Sequence, residues 1–231
     1  MRIAIIPARG GSKRIPKKNI KLFHGVPMLE ICIEKLNQAN IFDRIIVSTD
    51  SEEIADLANG AGAEVPFLRS NKLSDDYSDT RSVIIDAIDK VEEKNVNIGL
   101  VACVYPCIPL ISVTVIKEIY HMAENNREGY TFPVTSFPYP IQRALYLKKH
   151  GNVEMLFPEN YESRSQDLKE TFHDAGCIYF APPKIWRENS IIFSSSSRGC
   201  RIPRYMVQDI DTPEDWANAE LLYKLTKDQY I

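Results

Sequence analysis

Residues 2–19 read RIAIIPARGGSKRIPKKN, and this stretch decides the fold. Arg2–Ile6 is a short apolar run ending in Pro7, the pattern of a strand buried on both faces. A basic, glycine-containing loop follows at once, and Pro27–Asn40 then carries Leu29, Ile33 and Leu36 at helical spacing. The alternation continues. Arg44–Ser48 (RIIVS) reads as the next strand, and Asp50 or Ser51 with Glu52 and Glu53 starts a helix that Gly60 and Gly62 end. Glu64–Phe67 begins another strand, and Asp79–Lys94 is an amphipathic helix through Val83, Ile84, Ala87, Ile88 and Val91. Ile98–Val104 is apolar throughout, and Ser112–Asn125 is a further helix. Such alternation predicts an α/β fold with a mainly parallel sheet covered on both faces. Ligands of these sheets sit outside the carboxyl ends of the strands, which places Pro7–Asn19, Ser48–Asp50 and Tyr105–Leu110 at one rim.

From about Gly129 the pattern changes. Thr131–Thr135, Ala144–Lys148 and Val153–Phe157 read as strands, the last two joined by a His150-Gly151-Asn152 turn. Residues 137–171 thus form an antiparallel insertion rich in apolar and aromatic residues, an arm able to pack on the body or on a second subunit. Cys177–Phe180 returns to a strand. Ser194–Ser197 is a mobile loop, and Pro213–Leu225 is a closing helix capped by Asp211 or Thr212. The rest is one domain, with no internal repeat.

The 231 residues are 44% hydrophobic and 26% charged, a globular average that excludes disorder, collagen and coiled coil. The net charge of −3 is unevenly divided. Residues 1–29 hold seven basic side chains and no acidic one, so residues 30–231 carry 21 basic against 31 acidic. A positive segment on an acidic body marks a site for a polyanion. The N-terminal apolar run is too short for a signal peptide, and Pro106 and Pro109 interrupt the uncharged stretch 95–116, so no membrane segment is expected. Cys32, Cys103, Cys107, Cys177 and Cys200 have no metal-site spacing; reduced thiols point to the cytoplasm.

Three constellations carry chemistry. In ARGGSKRIPKKN (Ala8–Asn19), Gly10 and Gly11 let backbone N–H groups turn inward and Ser12 adds a hydroxyl. Arg9, Lys13 and Lys18 aim several positive charges at one place, which makes a triphosphate cradle. Neither the P-loop nor the dinucleotide fingerprint is present. In QDIDTPEDW (Gln208–Trp216), Asp209 and Asp211 lie two apart and point the same way in extended chain, able to share a hard cation. An isolated pair of this kind is as easily a helix cap with an incidental neighbour; opposite a phosphate cradle the cation reading takes over. In SRSQDLKETFHDAGCIY (Ser163–Tyr179), Arg164, Gln166, His173 and Asp174 are polar groups leading into a strand, and Gly176 permits close backbone approach.

With these segments in this order, the sequence resembles the acylneuraminate cytidylyltransferase family, the enzymes that make CMP-activated nonulosonic acids. FDRIIVSTD (Phe42–Asp50), EVPFLR (Glu64–Arg69), LSDD (Leu73–Asp76) and HDAG (His173–Gly176) add to the likeness, and RSQDL followed by FHDAG most resembles the pseudaminic acid branch. The resemblance implies a Rossmann-like, doubly wound sheet of the nucleotide-diphospho-sugar transferase type with a dimerisation arm. It implies CTP and a nine-carbon sugar acid as substrates, Mg²⁺ or Mn²⁺ as cofactor, and a homodimer. By position it assigns Ala8, Arg9, Gly10, Gly11, Ser12, Lys13, Lys18 and Asn19 to the triphosphate and nucleotide, with Arg69 nearby. Asp209 and Asp211 fall to the metal, and Arg9, Lys13, Lys18 and Asp211 to catalysis. Gln166, His173, Asp174 and Gly176 fall where the sugar acid is held, with Tyr105 on the same side.

One segment departs from the family. Where the family often reads Q-P-T-S-P-L-R, this chain has Tyr105-Pro106-Cys107-Ile108-Pro109-Leu110-Ile111, a less hydrogen-bonding wall suited to a more deoxygenated sugar acid. CMP-N-acylneuraminate, CMP-legionaminate and CMP-Kdo synthetases share the chemistry, although HDAG and QDIDTPEDW fit the last less well. A metal-dependent glycosyltransferase would carry its D-x-D nearer mid-chain. A nucleic-acid binder built on the basic loop would want an aromatic stacking platform, which is missing. The base that accepts the hydroxyl proton stays open among a bound water, Asp211 and His173.

Overall fold

The protein, as a computed structural model, is described for residues 1–75, 78–188 and 191–230, with side chains to Thr226. Asp76 of the LSDD segment lies outside the described residues. In chain order, strand β1 (Arg2–Pro7) leads through the basic loop into a small hairpin, β2 (Leu22–Phe23) and β3 (Val26–Pro27), and then helix α1 (Met28–Ala39). Next come β4 (Arg44–Ser48), α2 (Glu52–Gly60), α3 (Thr80–Glu92), β5 (Leu100–Val104), α4 (Val113–Glu124) and β6 (Thr131–Ser136). The arm contributes β7 (Leu145–Leu147) and β8 (Val153–Met155), paired only with each other. The chain closes through β9 (Phe172–Asp174), β10 (Ile178–Ala181), α5 (Pro183–Arg187), β11 (Arg198–Arg201) and α6 (Pro213–Tyr230).

The strands make one seven-stranded sheet in the order β11-β6-β10-β5-β1-β4, with β9 also on β6. β4, β1, β5, β6 and β11 run one way and β9 and β10 the other, so the sheet is mixed and mostly parallel. Alternate residues of each strand face opposite layers. Ala4 and Ile6 of β1 join α1, α2 and α4 in one buried cluster, while Ile3 and Ile5 join α3 and α5 in another. The helix starts follow the sequence: Ser51, Asp79 and Ser112 each accept a hydrogen bond from the backbone N–H three residues on.

One expected strand is corrected, and several features add to the sequence reading. Glu64–Phe67 forms no strand, only isolated bridges of Glu64 with Ile46 and Leu68 with Thr49, because Pro66 has no N–H to continue a ladder. β9 and β11 are strands that periodicity does not reveal; three or four residues long and partly polar, they owe their extension to pairing with β6. β9 and β10 behave as one strand stepped at Ala175–Cys177, where Gly176 has φ +62°. The serine loop is anchored at two points: Asn126 donates to the Ser196 carbonyl at 3.2 Å and Ser197 Oγ accepts the Tyr130 N–H at 3.2 Å. A Cβ on Gly129 would stand 2.5 Å from the Ser196 carbonyl carbon. Gly129→Ala is therefore expected to cost about 1–3 kcal/mol, read as a lower denaturant midpoint in chemical unfolding.

Candidate active site

The basic loop is held by hydrogen bonds within the protein. The Ala8 N–H donates to the Ser48 carbonyl at 3.0 Å, which extends the β1–β4 pairing past Pro7. The Gly10 N–H donates to Asp50 Oδ1 at 2.9 Å, and Ser12 Oγ to the Ile15 carbonyl at 2.6 Å. Asn19 Nδ2 donates to the Arg9 carbonyl at 3.0 Å, while its own carbonyl accepts from the Leu29 N–H at 2.8 Å. The loop's two ends are thereby tied, and its side chains are left to face the sheet rim. Two of the donors expected to meet phosphate, Gly10 N–H and Ser12 Oγ, already have internal acceptors.

The far end of the chain comes back to this loop by hydrophobic packing. Ile15, Phe23, Met28 and Ile31 share a buried cluster with Ile210, Trp216 and Ala219. Phe23 meets Trp216 edge-on at 5.6 Å, and the Lys21 ammonium lies 4.3 Å from the Trp216 ring centre. That contact carries the acidic pair into place. Lys18 Nζ donates to the Ile210 carbonyl at 2.7 Å and stands 3.4 Å from Asp211 Oδ1, while Arg14 pairs with Asp211 Oδ2 at 2.7 Å. Thr212 caps α6 in a reciprocal box: its Oγ1 accepts the Asp215 N–H at 3.2 Å, and Asp215 Oδ2 accepts the N–H groups of Thr212 at 2.8 Å and Asp211 at 3.1 Å. Asp209 is exposed, and among the described residues no donor reaches its carboxylate. Although the residue as a whole is exposed, desolvation of its carboxylate by the surrounding protein and the neighbouring Asp211 raise its pKa.

The third wall is the Tyr105–Ile111 loop at the end of β5, with Ala175–Cys177 and Tyr179 beside it. Tyr105 and Tyr179 meet edge-on at 6.2 Å. The Tyr105 hydroxyl donates to Thr80 Oγ1 at 2.9 Å and the Tyr179 hydroxyl to the Asp174 carboxylate, so both phenols are committed within the wall. Burial pushes the Tyr105 hydroxyl up to about 12 and the Cys107 thiol up to about 11.

Together these three parts enclose a cavity of about 720 Å³ at the carboxyl ends of β1 and β5. Of the residues singled out in the sequence, Arg9, Ser12, Lys13, Lys18, Asn19, Tyr105, Gly176, Asp209 and Asp211 line it. Ala8, Gly10, Gly11 and Arg69 do not. Arg69 is buried behind the loop, 3.8 Å from Asp50, and its Nε and Nη2 have no hydrogen-bond acceptor among the described residues. Desolvation lowers the pKa of that guanidinium. Gln166 lies in the arm, exposed; His173 Nδ1 is 2.9 Å from the Asp174 carbonyl with its ring edge-on to Phe137, outside the cavity lining. Asp174 reaches the cavity only through Tyr179.

Three residues of the site escaped the sequence reading. Arg14 stands in the same basic string but was not separated from its neighbours. Asp50 was placed at the rim without its role of holding the loop at Gly10. Asp215 completes the T-x-x-D box, a signal readable in the sequence.

The family profile described as Cytidylyltransferase matches residues 3–182. Pseudaminic acid cytidylyltransferase of Campylobacter jejuni is 43% identical over 223 residues, 96% of each chain. CMP-N,N'-diacetyllegionaminic acid synthase of Legionella pneumophila is 32% identical over 99% of both. Among solved structures, CMP:2-keto-3-deoxy-manno-octonic acid synthetase complexed with CTP superposes with a TM-score of 0.70 over 99% of each chain at 16% identity, which shows the shared fold. On this evidence the chain belongs to the cytidylyltransferase family and is a CTP-using nucleotidyltransferase.

Proposed function

We propose that this enzyme transfers CMP from CTP to a nonulosonic acid, pseudaminic acid first among them, with release of pyrophosphate, for surface glycan synthesis. The observation that carries the reading is the junction of Lys18 with Asp211, which sets a cation-rich loop against a carboxylate pair across one cavity. The choice of sugar rests on the 43% identical relative and on the apolar character of the Tyr105–Ile111 wall.

The chemistry is an electrostatic problem. A triphosphate and a sugar carboxylate repel each other, and charge builds on the leaving pyrophosphate as the anomeric hydroxyl attacks the α-phosphorus. Arg9, Lys13, Arg14 and Lys18 line the cavity and lower that cost by holding positive charge where the negative charge develops. Arg14 and Lys18 now lean on Asp211, and phosphate oxygens would take over these donors. Asp209 and Asp211 fit Mg²⁺ or Mn²⁺: both are hard oxygen donors facing the cavity, and Asp209 lacks any donor of its own among the described residues. Such a cation supplies further neutralisation of the triphosphate.

The functional form in this reading is a homodimer joined through the arm. Tyr139, Leu147, Val153 and Tyr161 of the arm are 62–81% exposed, apolar surface that a second copy would cover. Leu147→Glu is expected to shift the mass in sedimentation from twice 26.4 kDa toward the single chain. A cytoplasmic setting accords with five free cysteines, and no described helix is long and apolar enough to cross a membrane.

The test of the sugar assignment is turnover with CTP and Mg²⁺ across pseudaminic, legionaminic, N-acetylneuraminic and Kdo acids. Pseudaminic acid should lead in kcat/KM by about tenfold or more, a difference of roughly 1.4 kcal/mol in transition-state binding. A lead for any of the others would overturn it.

A further inference from the structure

Helix α1 carries a lysine whose surroundings the reaction chemistry leaves unexplained. Lys35 Nζ donates to three backbone carbonyls, those of Ile108 at 3.4 Å, Pro109 at 2.5 Å and Ile111 at 2.7 Å. All three belong to the loop that forms the third wall of the cavity. One turn earlier on the same helix, Cys32 Sγ lies 3.8 Å from the Tyr105 carbonyl, so α1 grips the loop at both ends. At its Tyr105 end the loop is also tied by the Tyr105 N–H to the Cys177 carbonyl at 2.8 Å and by the Tyr105 hydroxyl to Thr80, whereas beyond Pro106 its own backbone makes two short turns, Ile108 to Pro106 and Ile111 to Ile108. With two prolines the loop has few N–H groups for securing itself, and its carbonyls converge on one ammonium. Burial lowers the pKa of that ammonium to about 8, a cost that the three carbonyl acceptors offset.

We propose that Lys35 is a positioning residue for the transfer reaction: by clasping the carbonyls of Ile108, Pro109 and Ile111 it sets the shape of the Tyr105–Ile111 wall and thereby the fit of the sugar acid. This rests on the reading that the wall faces the sugar acid. The triphosphate loop touches the wall at Cys107 but is tied by hydrogen bonds of its own, to Asp50 and from Asn19. Loss of the clasp should therefore separate the two substrates.

The experiment compares wild type with Lys35→Met, which keeps the stem and removes the donors, and with Lys35→Gln, which keeps two of them. The KM for the sugar acid should rise by about tenfold or more in Lys35→Met, with the KM for CTP changed by less than about twofold. Lys35→Gln should fall between. A second readout needs no substrate. Cys107 sits in the wall and is the partly exposed one of the five thiols. Its labelling by a small thiol reagent, scored against a Cys107→Ser background, should quicken when the clasp is lost. Equal rises in both KM values, or wild-type labelling in Lys35→Met and Lys35→Gln alike, would overturn the proposal. Should Lys35→Met fail to fold, Lys35→Gln decides: faster labelling supports the clasp and wild-type labelling overturns it. A wild-type enzyme that binds CTP yet turns over no sugar acid would defeat the functional reading instead, and the labelling comparison would still judge Lys35.

Discussion

Asp211→Ala should leave a folded protein with kcat reduced by about 10²–10³-fold or more, a loss of roughly 3–4 kcal/mol of transition-state stabilisation. Asp211 is where three functions meet. It pairs with Arg14 and Lys18, it faces the same cavity as Asp209, and its backbone N–H is fixed by the α6 capping box. Its side chain is 31% exposed, so removal of its ion pairs should cost stability only about 1 kcal/mol or less. The circular dichroism spectrum and unfolding midpoint should stay close to wild type while pyrophosphate release collapses. The requirement for Mg²⁺ should rise at the same time. A variant that turns over normally would remove the carboxylate pair from the mechanism.

Lys18→Ala is expected to be as severe, again about 10²–10³-fold, with the fall mainly in kcat. Lys18 is held between the Ile210 carbonyl and Asp211, so its ammonium is fixed in place by the protein itself. A positioned charge of this kind acts on the charge that develops in the transition state, whereas a loosely tethered one would only tighten binding. The ratio of kcat to KM effects is thus diagnostic. A rise in the KM for CTP at unchanged kcat would make Lys18 a ground-state binding group and shift the catalytic burden to Arg9, Lys13 and Arg14.

Much of this is legible in the sequence. The apolar runs at Arg2–Pro7, Arg44–Ser48 and Leu100–Val104 are buried on both faces, and continuous hydrophobicity is how such strands read. The rim of the site followed from the rule that ligands lie at the carboxyl ends of parallel strands, and the basic string and the D-x-D pair do share one cavity there. Other parts were invisible because their cause is not local. β11, with the sequence RGCR, is extended only because β6 pairs with it. Lys35 reads as one more polar position on an amphipathic helix, and only the carbonyls of a loop more than seventy residues away give it a purpose. The placement of Gln166 and His173 depends on how the arm folds back beside β6, which no periodicity encodes.

The uneven charge of the sequence takes on a definite meaning in this arrangement. The seven basic residues of the N-terminal segment do not act as one patch. Arg2 and Lys17 pair with Asp43 and Glu53, and Lys21 lies over Trp216, whereas Arg9, Lys13, Arg14 and Lys18 line the cavity. The hydrophobic contact between the N-terminal hairpin and α6 joins those four to the aspartates of the acidic remainder.

Displacement at the α-phosphorus of CTP fixes where each phosphate goes, and a radiolabel reads it. With CTP labelled in the α-phosphate, the label should move into the sugar nucleotide; with CTP labelled in the γ-phosphate, it should leave as pyrophosphate. Both transfers should require the sugar acid and the divalent cation together. Label from the γ-phosphate appearing as inorganic phosphate, or α-label remaining in CDP, would rule out attack at the α-phosphorus.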